Sequence, residues 1–197
     1  MRFIYFIFFL VFQYNYAFAI FEKEEENALK KIEIYLNDIV TLKANFVQIN
    51  QHGSLSNGEL FIKKPGKFRW DYKDLPILIV ANGKSLIYYD KELEQANYVP
   101  MQDSIAAILT KKYLVLQDDV KLINFMIKDD SYFLTITKDR QRDIKKMTLI
   151  FKKLPLSLGK IEIEEQSGAK AVITLFDLIL NEDISDEFFK IRDKRLR

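Results

Sequence analysis

The 197-residue chain offers few side chains that could perform covalent chemistry. It contains no cysteine and a single histidine, His52, which stands beside Gly53 in a polar stretch. The chain therefore lacks most of the residues needed to build a serine–histidine–aspartate triad, a cysteine–histidine pair or a histidine-rich metal site. We expect His52 to be a solvated loop residue, and we expect no catalytic residue, no metal site and no cofactor.

Carboxylates are abundant, but their pattern selects no pair for catalysis. Asp118-Asp119 and Asp129-Asp130 fall at expected turns, where solvated carboxylates are common. A glycosidase needs two acids at a defined separation, and nothing distinguishes two of the 28 acidic residues. Glycine is scarce, at six residues, and no glycine-rich phosphate loop is present. The sequence favours a binding protein, with a hydrolase as the weaker alternative.

The most informative pattern is a row of apolar and aromatic residues on two neighbouring strands. Period-two alternation predicts strands over Gly58–Lys64 and Lys67–Tyr72, joined by Pro65-Gly66. One face of these strands carries Leu60, Ile62, Lys64, Phe68, Trp70 and Tyr72. Two interpretations are open: these side chains fill the core of a closed barrel, or they line an apolar cavity in a curved sheet that helices cover.

The next predicted strand, Ile77–Ala81, does not alternate, because Ile77-Leu78-Ile79-Val80 is apolar on both faces. An antiparallel sheet with one solvated face would alternate cleanly, so we expect a second layer to cover this sheet. The long strand predicted over Lys170–Leu180 is also apolar on both faces. We take this covered second face as a clue to function.

Further strands are predicted at near-regular spacing, which is typical of a β-sandwich or barrel. They are Ala44–Gln51, Ser85–Asp90, Gln95–Tyr98, Val120–Lys128, Tyr132–Thr137, Ile144–Lys152, Leu158–Glu165 and a short final strand, Asp186–Ile191.

Two helices are predicted as well. An amphipathic helix over Phe21–Leu42 carries one apolar stripe, and a short helix is capped by Asp103 or Ser104, with Tyr113–Leu116 continuing it. The stripe consists of Leu29, Ile32, Leu36, Ile39 and Val40.

The N-terminus has the parts of a secretory signal peptide. Arg2 precedes an apolar run of about ten residues, and Ala17-Phe18-Ala19 is a small-x-small cleavage site. The run is shorter than the roughly 20 residues that span a membrane, so we expect cleavage after Ala19 rather than an uncleaved anchor. The 178 residues that follow are a plausible single domain, predicted over 20–197.

The charge of this domain is close to neutral. Without Arg2 it has 29 basic and 28 acidic residues, a net charge of +1. That balance gives no basis for proposing nucleic acid as a partner. An exported chain without disulfides must depend on apolar burial, and this domain is large enough to do so.

An ordered string of motifs lies between Gly58 and Ala96: G-x-L-x-x-K-[RK]-P-x-x-F-x-W, a short apolar strand, then D/N-G-K-x-L, Y-[DN] and E-Q-A. The matching residues are Gly58, Leu60, Lys63, Lys64, Pro65, Phe68, Trp70, Asn82, Gly83, Lys84, Leu86, Tyr89, Asp90, Glu94, Gln95 and Ala96. This string resembles the periplasmic lipoprotein carrier (LolA) family. The resemblance extends more thinly to Ala44-Asn45-Phe46-Val47-Gln48 and, as an order of elements, through most of the chain.

The resemblance implies a mainly β fold with a few helices: an unclosed antiparallel β-barrel, or half-barrel, covered by a helical lid. It implies a monomeric periplasmic chaperone that binds the acyl chains of lipoproteins. An inner-membrane ABC-type release complex would supply the cargo, and an outer-membrane receptor lipoprotein would accept it. The alternatives are a related envelope protein that binds or senses another lipid, such as a glycolipid, and a purely structural domain with a filled core.

The resemblance also implies roles for individual residues. Phe68 matches an aromatic residue that receives lipid, and Trp70 matches a neighbouring cavity tryptophan. With Leu60, Ile62 and Tyr72, they form the predicted lipid-binding cavity.

Lys64 occupies a position where the family usually has an arginine that bonds to the lid helices and favours release. Lysine offers three donors on a compact ammonium, whereas arginine offers five in a planar fork. We therefore expect any lid or transfer interaction of Lys64 to be looser or differently placed.

Overall fold

A computed structural model describes residues 23–101, 104–137 and 144–191 of the chain. Parts of the predictions lie outside these residues: the signal peptide at 1–19, the start of the first helix at 21–22 and the alternative helix cap Asp103.

The strand pattern is largely as predicted. The strands are β1 (Thr41–Asn50), β2 (Leu55–Lys63), β3 (Lys67–Tyr72), β4 (Ile77–Asn82), β5 (Ser85–Asp90), β6 (Gln95–Pro100), β7 (Lys121–Lys128), β8 (Ser131–Thr137), β9 (Ile144–Lys153), β10 (Leu156–Glu165) and β11 (Lys170–Leu180). They differ from the predicted bounds by a few residues, chiefly because β1 and β2 begin three residues earlier and pair from Thr41 opposite Lys63.

The strands form one antiparallel sheet in the order β6-β5-β4-β3-β2-β1-β11-β10-β9-β8-β7. Strands β6 and β7 lie at its two edges, and the chain that connects them carries two short helices, α2 (Ile105–Leu109) and α3 (Leu116–Asp119). The predicted unclosed antiparallel architecture with a few helices is confirmed.

The first helix, α1, covers residues 23–38 and is shorter than predicted. Thr41 and Leu42, expected in the helix, pair with Lys63 and Ile62 in the sheet instead. β-Branched residues favour an extended backbone, and 39–41 are Ile-Val-Thr, which explains the early stop. Val40, assigned to the apolar stripe, is 58% exposed. The predicted continuation of α2 through Tyr113 was also wrong, because α3 is a separate helix that begins at Leu116.

The main core lies on the concave face of the sheet. There α1 buries Ile32 and Leu36, and α2 buries Ala106 and Ile108. The C-terminal half of the sheet contributes aliphatic side chains to the same core, and these are Leu134, Ile136, Met147, Leu149, Leu158, Ile161 and Ile173.

A second, smaller core lies on the convex face. It consists of Phe61, Leu78, Val80 and Phe189. Thus Ile77-Leu78-Ile79-Val80 is indeed covered on both sides, but the C-terminal segment provides the outer cover, and the helices cover only the concave side.

This C-terminal segment was predicted to be a strand over Asp186–Ile191, which was wrong: Asp186–Phe189 is a 3₁₀-helix. The segment contacts β3 and β4, which are interior strands already paired on both edges. Interior strands have no free backbone N–H or C=O groups to offer a segment that lies on the face of the sheet. The segment therefore forms its own backbone hydrogen bonds in a 3₁₀ turn. The side chain of Ser185 assists by accepting a bond from the backbone N–H of Glu187.

Candidate functional site

A cavity of about 450 Å³ lies on the concave face, between the β3–β6 half of the sheet, helix α2 and strands β9–β11. Its lining is Gln48, Phe68, Trp70, Tyr72, Ile79, Leu86, Tyr88, Val99, Pro100, Ser104, Ala106, Ile144, Ile163, Glu165 and Ala171. Most of these side chains are apolar or aromatic. A concave apolar space with a few polar groups is the usual form of a binding site for a small or chain-like apolar ligand.

Three of the predicted cavity residues, Phe68, Trp70 and Tyr72, line this space. Strand alternation places them there, and the β2–β3 register sets Phe68 opposite Ile62 and Trp70 opposite Leu60. Leu60 and Ile62 are buried in the same core but do not line the cavity.

Phe46 supports the aromatic row from strand β1. Its ring centroid lies 4.7 Å from that of Trp70 and 5.3 Å from that of Tyr72, edge-on to the tyrosine. Glycine at position 58 makes room for this ring, because a Cβ there would lie 2.7 Å from Phe46 Cζ and 2.1 Å from the Asp71 carbonyl oxygen. The motif glycine therefore allows the aromatic row to pack.

The cavity prediction missed most of the residues on the other strands. Gln48 shares a face with Phe46 by alternation along β1, a signal that the sequence does carry. The contributions of β9–β11, such as Ile144 and Ile163, depend on how the sheet curves. Local periodicity contains no information on that curvature.

The polar groups of the cavity lie beside Trp70. The Tyr72 hydroxyl donates to Gln48 Oε1 at 2.8 Å, and burial raises the pKa of Tyr72 to about 12. The Trp70 indole Nε1 is buried and makes no hydrogen bond of good geometry, and its interaction with the Tyr72 hydroxyl lowers the pKa of that tyrosine against the larger effect of burial.

Lys64 lies in the β2–β3 turn and its side chain reaches α1, a helix that packs on the concave face. Its Nζ donates to the carbonyl oxygen of Leu36 at 2.5 Å, in the last turn of α1. The last carbonyls of a helix have no partner within it, so a cation is favourable there. Burial of the ammonium group lowers the pKa of Lys64.

The same turn holds α2 through its backbone. The N–H of Gly66 donates to the carbonyl oxygen of Thr110, the residue that ends α2, at 2.9 Å. The Asn37 side chain both donates to and accepts from the backbone of Leu114, at 2.9 and 2.8 Å. Helix α1 and the turn thus hold the α2–α3 connection from two sides.

A second hollow, of about 530 Å³, lies on the convex face beside the 3₁₀-helix. It is a more open groove whose lining includes Arg69, Lys91 and Lys190. These cations are already paired: Arg69 and Lys91 each lie 2.7 Å from Asp71, and Lys190 lies 2.5 Å from Glu187.

The other candidates for chemistry lie outside both hollows. His52 is exposed in a turn, and Asp129 and Asp130 are exposed in the β7–β8 turn. Asp119 accepts a bond from the N–H of Val115 and pairs with Lys111. Within residues 23–101, 104–137 and 144–191, no group of three or more His, Cys, Asp or Glu side chains could hold a metal ion. In the same ranges no helix has the length and apolarity needed to cross a membrane.

Comparison with known proteins agrees with the geometry. Residues 37–192 match the family described as outer membrane lipoprotein carrier protein LolA. An outer-membrane lipoprotein carrier protein of Legionella pneumophila (strain Corby) is 27% identical over 180 residues, covering 85% of this chain and 86% of the relative. One from Azotobacter vinelandii is 37% identical over 87 residues, covering 40% and 42%.

Solved structures support the fold. The crystal structure of a LolA superfamily protein from Nitrosomonas europaea aligns with a TM-score of 0.50 at 15% identity, covering 82% of this chain and 97% of that one. A conserved protein from Thermus thermophilus aligns with a TM-score of 0.53 at 12% identity, covering 86% and 94%. The family match spans most of the chain, and the chain therefore belongs to the LolA family of outer membrane lipoprotein carrier proteins.

Proposed function

We propose that this protein is a non-enzymatic, monomeric carrier in the periplasm, exported by a cleaved signal peptide at residues 1–19. It receives acylated lipoproteins from an inner-membrane ABC-type release complex and passes them to a receptor lipoprotein of the outer membrane. Family membership and the names of the relatives support the cargo. The mature domain, residues 20–197, carries it.

The observation that carries this proposal is the apolar cavity of about 450 Å³ under the aromatic row. An apolar cavity of about 150 Å³ holds benzene, so by proportion this one has room for roughly 18 carbon atoms. That is the size of one acyl chain. A multiply acylated cargo would need the cavity to widen, and α2, which borders it, is a short helix in the connection between the edge strands β6 and β7.

A carrier is needed because acyl chains are costly to expose to water. Each methylene withdrawn from water is stabilised by about 0.8 kcal/mol, so a chain of roughly 16 carbons gains on the order of 10 kcal/mol in an apolar cavity. Phe68, Trp70 and Tyr72 supply much of the lining that replaces water. Leu60 and Ile62 support these rings from the neighbouring strand.

Release requires the cover to compete with cargo. We assign Lys64 a role in this step, since it joins the β2–β3 turn to α1 while Gly66 joins the same turn to α2. Loading that moves either helix would break one of these contacts. Closure would restore the contact and favour departure of the chain.

The test is reconstituted release. The processed protein is incubated with inner-membrane vesicles that contain the release complex, and lipoprotein in the soluble fraction is measured. The expected product is a soluble 1:1 complex of carrier and lipoprotein. If the protein frees no lipoprotein and binds no acyl chain, the carrier proposal is refuted.

Two variants direct this test at the cavity. Phe68→Glu places a charge in the lining, and Ile79→Trp fills part of the volume without a charge; both should abolish loading. Leu55→Glu is the matched control, because Leu55 is 64% exposed and lies outside the lining. Equal loading by all three variants would remove the cavity from the mechanism.

Mass spectrometry of lipid that co-purifies with the protein separates the carrier from a glycolipid-binding relative of the same fold. Acylated peptides are expected. A glycolipid in their place would favour the alternative.

A further inference from the structure

A smaller cavity, of about 270 Å³, lies on the concave face beside α3, apart from the larger cavity under the aromatic row. Helices α1 and α3 supply part of its lining, and strands β7 and β8 supply the rest. The apolar part of this lining includes Leu29, Leu116, Val120, Leu122, Leu134 and Ile136. By the proportion used for the larger cavity, the smaller one has room for roughly 11 carbon atoms.

Hydrogen bonds hold the helical wall of the smaller cavity in place. The backbone N–H of Leu116, the first residue of α3, donates to Glu33 Oε2 of α1 at 2.8 Å. One turn further along α1, the Asn37 side chain bonds to the backbone of Leu114. The space beneath the two helices can therefore stay open without loss of these contacts.

The lining favours hydrocarbon over a polar ligand. None of its side chains, all of which the structure describes, has a buried nitrogen or oxygen atom without a hydrogen-bond partner. Its charged residues are Glu26 and Lys30, which are exposed to solvent, and Glu33, which already accepts the bond from Leu116. A polar head group would find no unmet partner inside, whereas an alkyl chain would bury apolar surface.

Strand register places the smaller cavity beside the larger one. Ile136, which lines the smaller cavity, pairs with Met147, and Met147 pairs with Ile163, which lines the larger cavity. Paired residues on adjacent strands lie about 5 Å apart, with their side chains on the same face. Met147 is 3% exposed and belongs to neither lining, so it separates the two cavities along this row. An unbranched methionine side chain changes rotamer and repacks with little strain.

We propose that the smaller cavity is a second acyl-chain subsite, and that the larger cavity widens toward it by movement of Met147, so that one cargo molecule places one chain in each cavity. This inference rests on the proposed carrier function and assigns a place to the second acyl chain. It also locates at strand β9 the widening that a multiply acylated cargo requires.

The first test compares 1-palmitoylglycerol with 1-palmitoyl-2-decanoylglycerol, as competitors of an apolar dye. The palmitoyl chain fits the larger cavity, and the decanoyl chain has about the size of the smaller one. The wild-type protein should bind the two-chain ligand about 100-fold more tightly, which is a part of the gain that burial of the second chain can give. Leu122→Trp fills part of the smaller cavity at a position that is 46% exposed. It should reduce the ratio of the two affinities about tenfold without weakening 1-palmitoylglycerol.

Leu93→Trp is the matched control, because Leu93 is also exposed, at 63%, and lines neither cavity. It should leave the ratio of the two affinities unchanged. A ratio that Leu122→Trp does not lower, with 1-palmitoylglycerol bound normally, would overturn the second subsite while leaving the carrier function intact. If the wild-type protein binds neither ligand, the carrier proposal itself fails.

The second test uses the wild-type protein and methyl NMR. The signals of Ile136 and Met147 should shift when 1-palmitoyl-2-decanoylglycerol binds, while the signal of Met126, which is 41% exposed and outside both linings, should not move. One equivalent of 1-palmitoylglycerol should leave Ile136 unshifted. An Ile136 signal that does not respond to the two-chain ligand would refute the second subsite, and a Met147 signal that does not respond would refute the proposed widening.

Discussion

The two faces of strands β3–β5 carry hollows of similar size and opposite character. The concave cavity of about 450 Å³ is lined mostly by apolar and aromatic side chains. The convex groove of about 530 Å³ has more volume, but three cations line it, each paired with a carboxylate of the same chain. The chemistry of the lining, and not the volume, therefore distinguishes a site for an apolar chain from a gap beside a docked segment.

The two covered faces also explain why strand β4 is apolar on both sides. Ile79 faces the cavity, whereas Leu78 and Val80 face the C-terminal segment and pack against Phe189. Helices cover the concave face, and the C-terminal segment, which is held by ion pairs, covers the convex face. Apolarity on both faces thus indicated two layers correctly, but it gave no evidence for a cavity.

The largest expected difference is between two buried phenylalanines, one on each face. Phe189→Ala removes a fully buried ring from the packed convex core, and the free energy of unfolding should fall by about 3–5 kcal/mol with acyl-ester binding unchanged. Phe68→Ala removes a buried ring that borders the cavity, so no side chain packs against it on that side. Its stability cost should be smaller, about 2 kcal/mol, while binding falls about tenfold. Denaturant unfolding measures the stability of the two variants, and dye displacement measures their binding. Equal effects of the two variants on binding would contradict the difference proposed between the two faces.

Gly58→Ala tests how the aromatic row is packed. The new methyl group would overlap the Asp71 carbonyl oxygen and the Phe46 ring, so β2 must move away from β3 or the ring must shift. Overpacking of this kind should cost about 2 kcal/mol and weaken binding on the concave side. Gly159→Ala is the control for the loss of a strand glycine, because a Cβ there lies no nearer than 3.8 Å to any neighbour, and it should leave binding unchanged.

Lys64→Met tests the contact between the β2–β3 turn and α1. It removes the bond to the Leu36 carbonyl, and since burial already disfavours the ammonium group, the net loss of stability should be only about 1 kcal/mol. Hydrogen exchange should speed up in the last turn of α1, and delivery to a receptor should slow while loading stays intact. The control Lys84→Met, in an exposed turn, should change neither the hydrogen exchange of α1 nor the rate of delivery. Delivery by Lys64→Met at the wild-type rate would show that Lys64 has no role in release.

The smallest effect concerns the convex face alone. Hydrogen bonds from Lys67 and then Lys63 lower the pKa of Asp186 from 3.8 to about 2. A carboxyl whose pKa is lower in the folded state stabilises the fold above its unfolded value, and this contribution is lost as the pH falls from 3.8 toward 2. Wild type should therefore lose more stability than Asp186→Asn over that interval, with acyl-ester binding at neutral pH the same in both. Parallel pH profiles would show that these ion pairs do not hold the segment.

Much of the site could be predicted from short-range pattern. Alternation in β3 places Phe68, Trp70 and Tyr72 on one face, because successive side chains of a strand point in opposite directions. The same logic did not show that Leu60 and Ile62 stop short of the cavity, or that β9–β11 supply its far side. Those facts depend on the curvature of eleven strands, which is a long-range property.

The errors in the predicted elements have physical causes. The segment Asp186–Ile191 was predicted as a strand, yet it contains a 3₁₀-helix that docks on interior strands, which offer no edge. Helix α1 was predicted too long because Ile39 and Val40 continue an apolar stripe, whereas the pairing of Thr41 and Leu42 with β2 ends the helix first. At the C-terminus the lack of a free sheet edge decided the structure, whereas at the end of α1 the strand pairing and the β-branched preference of 39–41 act in the same direction.

The sequence by itself determined the approximate positions of the eleven strands (although it predicted a twelfth), the shared face of the aromatic row and, through its motif string, the family. These follow from the two-residue period of a strand and from turn residues, which act over a few positions. Only the tertiary structure decided that the row borders a cavity and that Lys64 bonds to α1. The reason is physical: whether a space between layers is filled depends on side chains that meet from distant parts of the chain.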